Sequence, residues 1–130
     1  MRKFVHILLL VAVIIFMPTC STCKISTQNQ IKEIKFGRGG GFTNQIERYS
    51  LDCKGKLRKD GKIIGRVSSE DVERIFQMAD TINTSVNEPD NFYWFIDING
   101  KNDYKNLWGG LTQVDRRLKN LYNELNMLLK

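Results

Sequence analysis

The stretch Phe92-Tyr93-Trp94-Phe95-Ile96-Asp97-Ile98-Asn99-Gly100 decides the fold. Aromatic and β-branched residues dominate it, and such side chains suit a pleated, half-buried surface, so 92–98 is expected to be a strand. Asn99-Gly100 has the composition of a two-residue hairpin turn, whose central positions need positive φ. A return strand is therefore expected over 101–108, with Tyr104 and either Leu107 or Trp108 facing a core.

Working outward, Gly109-Gly110 end this hairpin. Thr112 with Asp115 is expected to form a capping box. The C-terminal helix it opens carries an apolar stripe of Val114, Leu118, Leu121, Leu125 and Leu128. Upstream, Ser68 or Ser69 caps another helix, with Glu70 and Asp71 at the positive end of its dipole. Val72, Ile75, Phe76, Ala79 and Ile82 give that helix one buried face, and the pattern breaks over 83–91. Earlier still, Ile31, Ile34 and Phe36 argue a strand over 30–36. Ile46, Tyr49, Leu51 and Cys53 argue a second over 46–53. After a Lys54-Gly55 turn, a third begins at Leu57, and Asp60-Gly61 turns it into a fourth over 63–67. The order β-β-β-β-α-β-β-α predicts an α+β domain over 30–130: an antiparallel sheet with two helices packed on one face.

Two features stand out as candidate binding elements. The cluster Gly37-Arg38-Gly39-Gly40-Gly41 would let backbone N–H groups approach an anion or peptide, with Arg38 adding charge. It is equally the composition of a connection or bulge between the first two strands. It lacks the Gly-Lys-Ser/Thr of a P-loop and opens no helix. In the aromatic strand, alternation sends successive side chains to opposite faces. If one pair fills the core, the other faces outward or is covered by a helix; an outward pair with Trp108 nearby would make a binding surface. The candidate surface is thus Arg38, Gly39, Gly40, Gly41, Tyr93, Trp94 and Trp108.

Catalytic and metal chemistry finds little support. His6 is the only histidine. Glu47 and Asp52 are five apart on a strand and face opposite sides. Asp97, Asn99 and Asp103 lack EF-hand spacing and a closing glutamate, and the hairpin accounts for the Asn-Gly pair. No pattern points to a cofactor or metal, and the domain is expected to be non-enzymatic. A rival is an envelope hydrolase or small-ligand sensor with a pocket between sheet and helices.

The N-terminus carries a different kind of signal. Arg2 and Lys3 precede a mostly apolar run, Phe4 to Met17, stopped by Pro18. That run is short for a membrane span and has the length of a secretory h-region, so 1–19 is expected to be a signal peptide. Met17-Pro18-Thr19-Cys20 resembles the lipobox of bacterial lipoproteins, in which diacylglycerol is attached to the cysteine and a dedicated peptidase cuts before it. Met17, Pro18 and Thr19 depart from the usual Leu, small residue and Gly or Ala. The mature domain is similar to small Gram-negative lipoproteins carrying a Phe-Gly-x-Gly-Gly-Gly-Phe-Thr stretch, here Phe36 to Thr43, a likeness that supplies no activity. Cys20 is the expected acylation site, with Cys23 as the alternative. Residues 20–29 read as a flexible tether.

If Cys20 carries lipid, Cys23 and Cys53 either pair in an oxidising compartment or stay free. The lipobox resemblance implies a lipid-anchored envelope protein, expected at the outer membrane facing the periplasm. Its partners would be membrane lipid, through the acylated cysteine, and an envelope protein. The whole chain has a net charge of +6, and 18 basic and 14 acidic side chains remain beyond residue 19. This excess is expected to be spread along the chain, with no nucleic-acid site.

Overall fold

The computed structural model describes Cys23, residues 30–100 and residues 103–130. Residues 1–22, 24–29, Lys101 and Asn102 lie outside the described residues, and with them the expected signal segment 1–19, Cys20 and most of the expected tether.

Among the described residues, seven strands and two helices follow one another as β1 (Glu33–Gly40), β2 (Gln45–Asp52), β3 (Lys56–Lys59), β4 (Lys62–Arg66), α1 (Ser69–Asp80), β5 (Asn87–Glu88), β6 (Phe92–Asn99), β7 (Tyr104–Gly109) and α2 (Arg116–Met127). The strands form one sheet in the order β4-β3-β2-β1-β6-β7-β5. All neighbours are antiparallel except β5, which lies parallel to β7. The α+β class and the antiparallel sheet with two helices are as expected, and the two-residue β5 adds an edge within 83–91.

Alternation along the strands sorts the side chains. Ile34 and Phe36 of β1 lie opposite Leu51 and Tyr49 of β2 and opposite Ile98 and Ile96 of β6. These residues, with Leu57 and Trp108, face the helices. The core they make is completed by Val72, Ile75, Phe76 and Ala79 of α1, Leu118, Leu121 and Leu125 of α2, and Ile82. Each fully buried Leu, Ile or Phe contributes about 1.5–3 kcal/mol by leaving water. One polar side chain is buried among them: the Asn106 Oδ1 accepts from the Val86 N–H at 3.1 Å, which docks the 83–91 segment on the sheet.

The local signals mostly act where they stand. Ser68 caps α1, its Oγ accepting from the Asp71 N–H at 3.1 Å. Asp60 and Gly61 both have positive φ, 48° and 82°, and join the paired residues Lys59 and Lys62. Three expectations need correction. Asn99-Gly100 is not a two-residue turn: Ile98 pairs with Tyr104, and Gly100 N–H donates to Asp103 Oδ1 at 3.0 Å within a wider loop. Thr112 does not cap α2; its hydroxyl donates to the Glu88 carbonyl, and Asp115 is the cap, accepting from the Arg117 N–H. The glycine cluster is a connection only at Gly41, in the turn after β1, because Gly37 through Gly40 belong to β1, at the centre of the sheet.

Candidate functional site: the uncovered face of the sheet

Both helices cover the same face, and the other face is open. Its floor comes from the alternate residues: Lys35, Gly37 and Gly39 of β1, Ile46, Arg48 and Ser50 of β2, Tyr93, Phe95 and Asp97 of β6, and Lys105 and Leu107 of β7. The face is concave. The Asp60-Gly61 turn rises at one side and Ser85–Asn87 at the other, enclosing a groove of about 1010 Å³.

The glycines explain the groove's shape. A Cβ on Gly39 would stand 2.6 Å from the Tyr93 hydroxyl, and one on Gly37 would stand 1.9 Å from the Glu47 carbonyl oxygen and 3.0 Å from the Phe95 ring. Their missing side chains let β2 approach closely and let Tyr93 and Phe95 lie down across the central strand. Aromatic rings covering glycines on a neighbouring strand recover burial that glycine forfeits. The result is a smooth apolar floor of Tyr93, Phe95, Leu107 and Ile46, ringed by charge.

The charges divide by element. Lys35 meets Glu33 at 3.6 Å. Asp97 lies opposite both Lys35 and Lys105. Burial pushes the Asp97 carboxyl up, while the two lysines act in the other direction. At the end of β2, Asp52 accepts from the Lys54 and Lys56 N–H groups at 3.0 and 2.9 Å and from Arg58 Nη1 at 2.9 Å. Burial works to raise its carboxyl, but these hydrogen bonds outweigh that and hold it below the ordinary value.

The expected binding residues do not form one surface. Gly39 and Tyr93 are on the open face. Arg38, Trp94 and Trp108 have the opposite parity and face α2. Trp108 is buried, at 4% exposure, with its ring edge-on to Tyr122 at 5.6 Å, so it is a core residue rather than part of an outward pair. Arg38 donates from Nε to Glu47 at 2.6 Å. Gly40 would meet the Asn91 carbonyl oxygen with any Cβ, and Gly41 lies under the Phe92 ring in the turn after β1. The register that would have separated the faces is set by β1 pairing along its whole length with β6, which the glycine-rich composition concealed. Phe95, Leu107 and Ile46 were missed; Phe95 carried a signal in its two-residue spacing from Tyr93.

A smaller cleft of about 350 Å³ lies where the sheet meets α2, lined by Trp94, Trp108, Thr112, Lys119, Tyr122 and Asn123. The Tyr122 hydroxyl donates to the Gly37 carbonyl at 3.2 Å, tying α2 to the central strand.

Cys23 and Cys53 are joined by a disulfide, with Cα atoms 5.7 Å apart. It lies at the end of the sheet where β2 stops and β1 begins. Phe42 and Leu111, both fully exposed, and the half-exposed Phe92 occupy the opposite end. Among the described residues no three His, Cys, Asp or Glu side chains converge on a metal site, and no helix is long and apolar enough to cross a membrane. No family model matches the chain, and no curated protein matches it.

Proposed function

We propose that the chain is a lipid-anchored protein of the bacterial cell envelope, a non-catalytic module that receives a protein partner on the open face of its sheet. The uncovered face carries the binding reading. Sheets with helices on one side usually leave a polar outer face. Here the outer face is concave, floored by Tyr93, Phe95, Leu107 and Ile46, and rimmed by charged side chains, as interface centres and rims are.

The Cys23–Cys53 disulfide supports the anchor. A sulfur held in a disulfide cannot carry diacylglycerol, so of the two acylation candidates Cys20 is the one with a thiol to modify. A disulfide is also the chemistry of an oxidising compartment, as the periplasm is. Anchored through Cys20, the domain would meet its partner on the periplasmic side of the outer membrane.

The test is a photo-cross-linking amino acid placed at Phe95, with a control at Gln77 on the outer side of α1, in cells or envelope extract. A discrete cross-linked protein from position 95 and none from position 77 is expected. The same products from both positions, or none from position 95, contradict the proposal. The cleft beside α2 supports a second reading, a small-ligand sensor, because its volume suits a small molecule and it is lined by two tryptophans, a lysine and an asparagine. A low-molecular-weight envelope fraction that shifts the tryptophan emission would favour it.

A further inference from the structure

The basic charge is not spread along the chain. Residues 54–66 contain Lys54, Lys56, Arg58, Lys59, Lys62 and Arg66 against one acid, Asp60, so this stretch carries +5 and the remainder of 20–130 sums to −1. The stretch is the β3–β4 hairpin with the turn before it, and β4 is the outer edge of the sheet.

Two of these cations are neutralised within the fold. Arg58 pairs with Asp52 at 2.9 Å, and Lys59 reaches Glu47 at 4.0 Å and lies over the Tyr49 ring. The pairing of the hairpin then works against itself. Lys56 lies directly opposite Arg66, and Lys59 opposite Lys62. Like charges directly across a strand pair are destabilising. Between them, Ile63 and Ile64 are more than half exposed on the outer strand. Cationic side chains commonly protect an exposed edge from pairing with other strands. Lys56 and Arg66, opposed with no ion pair to offset them among the described residues, exceed that need, and rules broken without local compensation mark functional positions.

The position of the hairpin says what would compensate. Lys54 follows Cys53 directly, and Cys53 is bonded to Cys23. Cys20 is three residues from Cys23, a reach of roughly 10 Å of extended chain. We infer that the β3–β4 edge lies against an anionic bilayer surface, with Lys54, Lys56, Lys62 and Arg66 among the lipid head groups and Ile63 and Ile64 at the interface. This inference rests on the anchoring of Cys20 proposed above. A lipid chain combined with a basic patch is the pairing that turns marginal membrane attachment into stable attachment. The disulfide is the clamp that brings patch and anchor to the same place.

The full chain, matured in a bacterial host, is reconstituted with vesicles of phosphatidylcholine alone or mixed with phosphatidylglycerol. Flotation and amine labelling of individual lysines are then measured. Labelling of Lys54, Lys56 and Lys62 is expected to fall about threefold or more on the anionic vesicles only and to recover at high salt, because surface charge acts within a Debye length. Lys119 and Lys130 on the opposite layer should not change. A triple variant, Lys56→Gln, Lys62→Gln, Arg66→Gln, should still float but lose the protection at Lys54. Flotation on both vesicle types with equal labelling overturns the inference and leaves the anchor intact. Flotation and protection on anionic vesicles alone keeps the inference and removes the anchor, and flotation on neither removes both. Protection by polyglutamate but not by anionic vesicles would assign the edge to an acidic protein and overturn the proposal.

Discussion

Gly37 and Gly39 differ in what a methyl group would strike. At Gly37 it meets the rigid Glu47 backbone oxygen, whereas at Gly39 it meets the far end of the Tyr93 side chain, which can swing away. Gly37→Ala is therefore expected to cost about 3 kcal/mol or more, the size reserved for strain at a special backbone position. Gly39→Ala should cost about 1 kcal/mol and mainly lift Tyr93 off the floor. Urea unfolding of the two variants checks the order; equal losses would mean the strands do not approach as closely as described.

Asp52 gives a second test at this scale. Its carboxyl holds two backbone N–H groups and Arg58. Asp52→Ala is expected to cost about 2–3 kcal/mol, because hydrogen bonds to a charged group are lost and Arg58 is left half-buried without its partner. The pH effect has a definite sign. A carboxyl whose folded pKa is below its unfolded value of 3.8 contributes stability above that value and loses it as pH falls through the folded pKa. Asp52→Asn should therefore flatten the acid side of the stability profile, and a slope identical to that of the unmodified chain would refute the role. Composition announced none of this. In the sequence Asp52 reads as a strand carboxylate five residues from Glu47, and its role appears only once the turn is closed around it.

Among the elements, the helices were the most legible, because apolar spacing and an N-cap act within a few residues. Val72, Ile75, Phe76 and Ala79 are all buried in α1, and Leu118, Leu121 and Leu125 in α2. The strand ends were less legible. β1 continues four residues into the glycines because β2 and β6 on either side give those residues partners, a non-local cause that leaves no trace in β1 itself. The same applies to Asn99-Gly100, where the pairing of Ile98 with Tyr104 overrides a favourable turn dipeptide. The β3–β4 hairpin carries the prediction at this scale. With Lys59 and Lys62 opposed, Lys62→Glu should stabilise the fold by a few tenths to about 1 kcal/mol, and the gain should shrink as salt is added. Thermal unfolding at low and high salt measures both. A loss of stability on substitution would show that the opposed cations are not in conflict.

For the whole molecule, a single sheet carries its core on one side and a concave, partly aromatic surface on the other, with a staple at one end. The face bearing the core was readable from alternation. The open face was not, because its floor depends on glycines and aromatics meeting across a register. The staple closes a separation of 30 residues. On the chain-entropy account, removing it by Cys53→Ser should cost about 3–4 kcal/mol, visible as a lower urea midpoint; an unchanged midpoint would mean that the bond adds nothing to the fold. The staple also joins the two ideas on which the account depends, an oxidised domain and a lipid on the remaining cysteine. Mass spectrometry of the N-terminal peptide from membrane-extracted protein, without reduction, tests both together. A chain beginning at a diacylglyceryl-modified Cys20, with Cys23 linked to Cys53, is the expected result. An unmodified chain beginning at Met1, or lipid on Cys23, would contradict it.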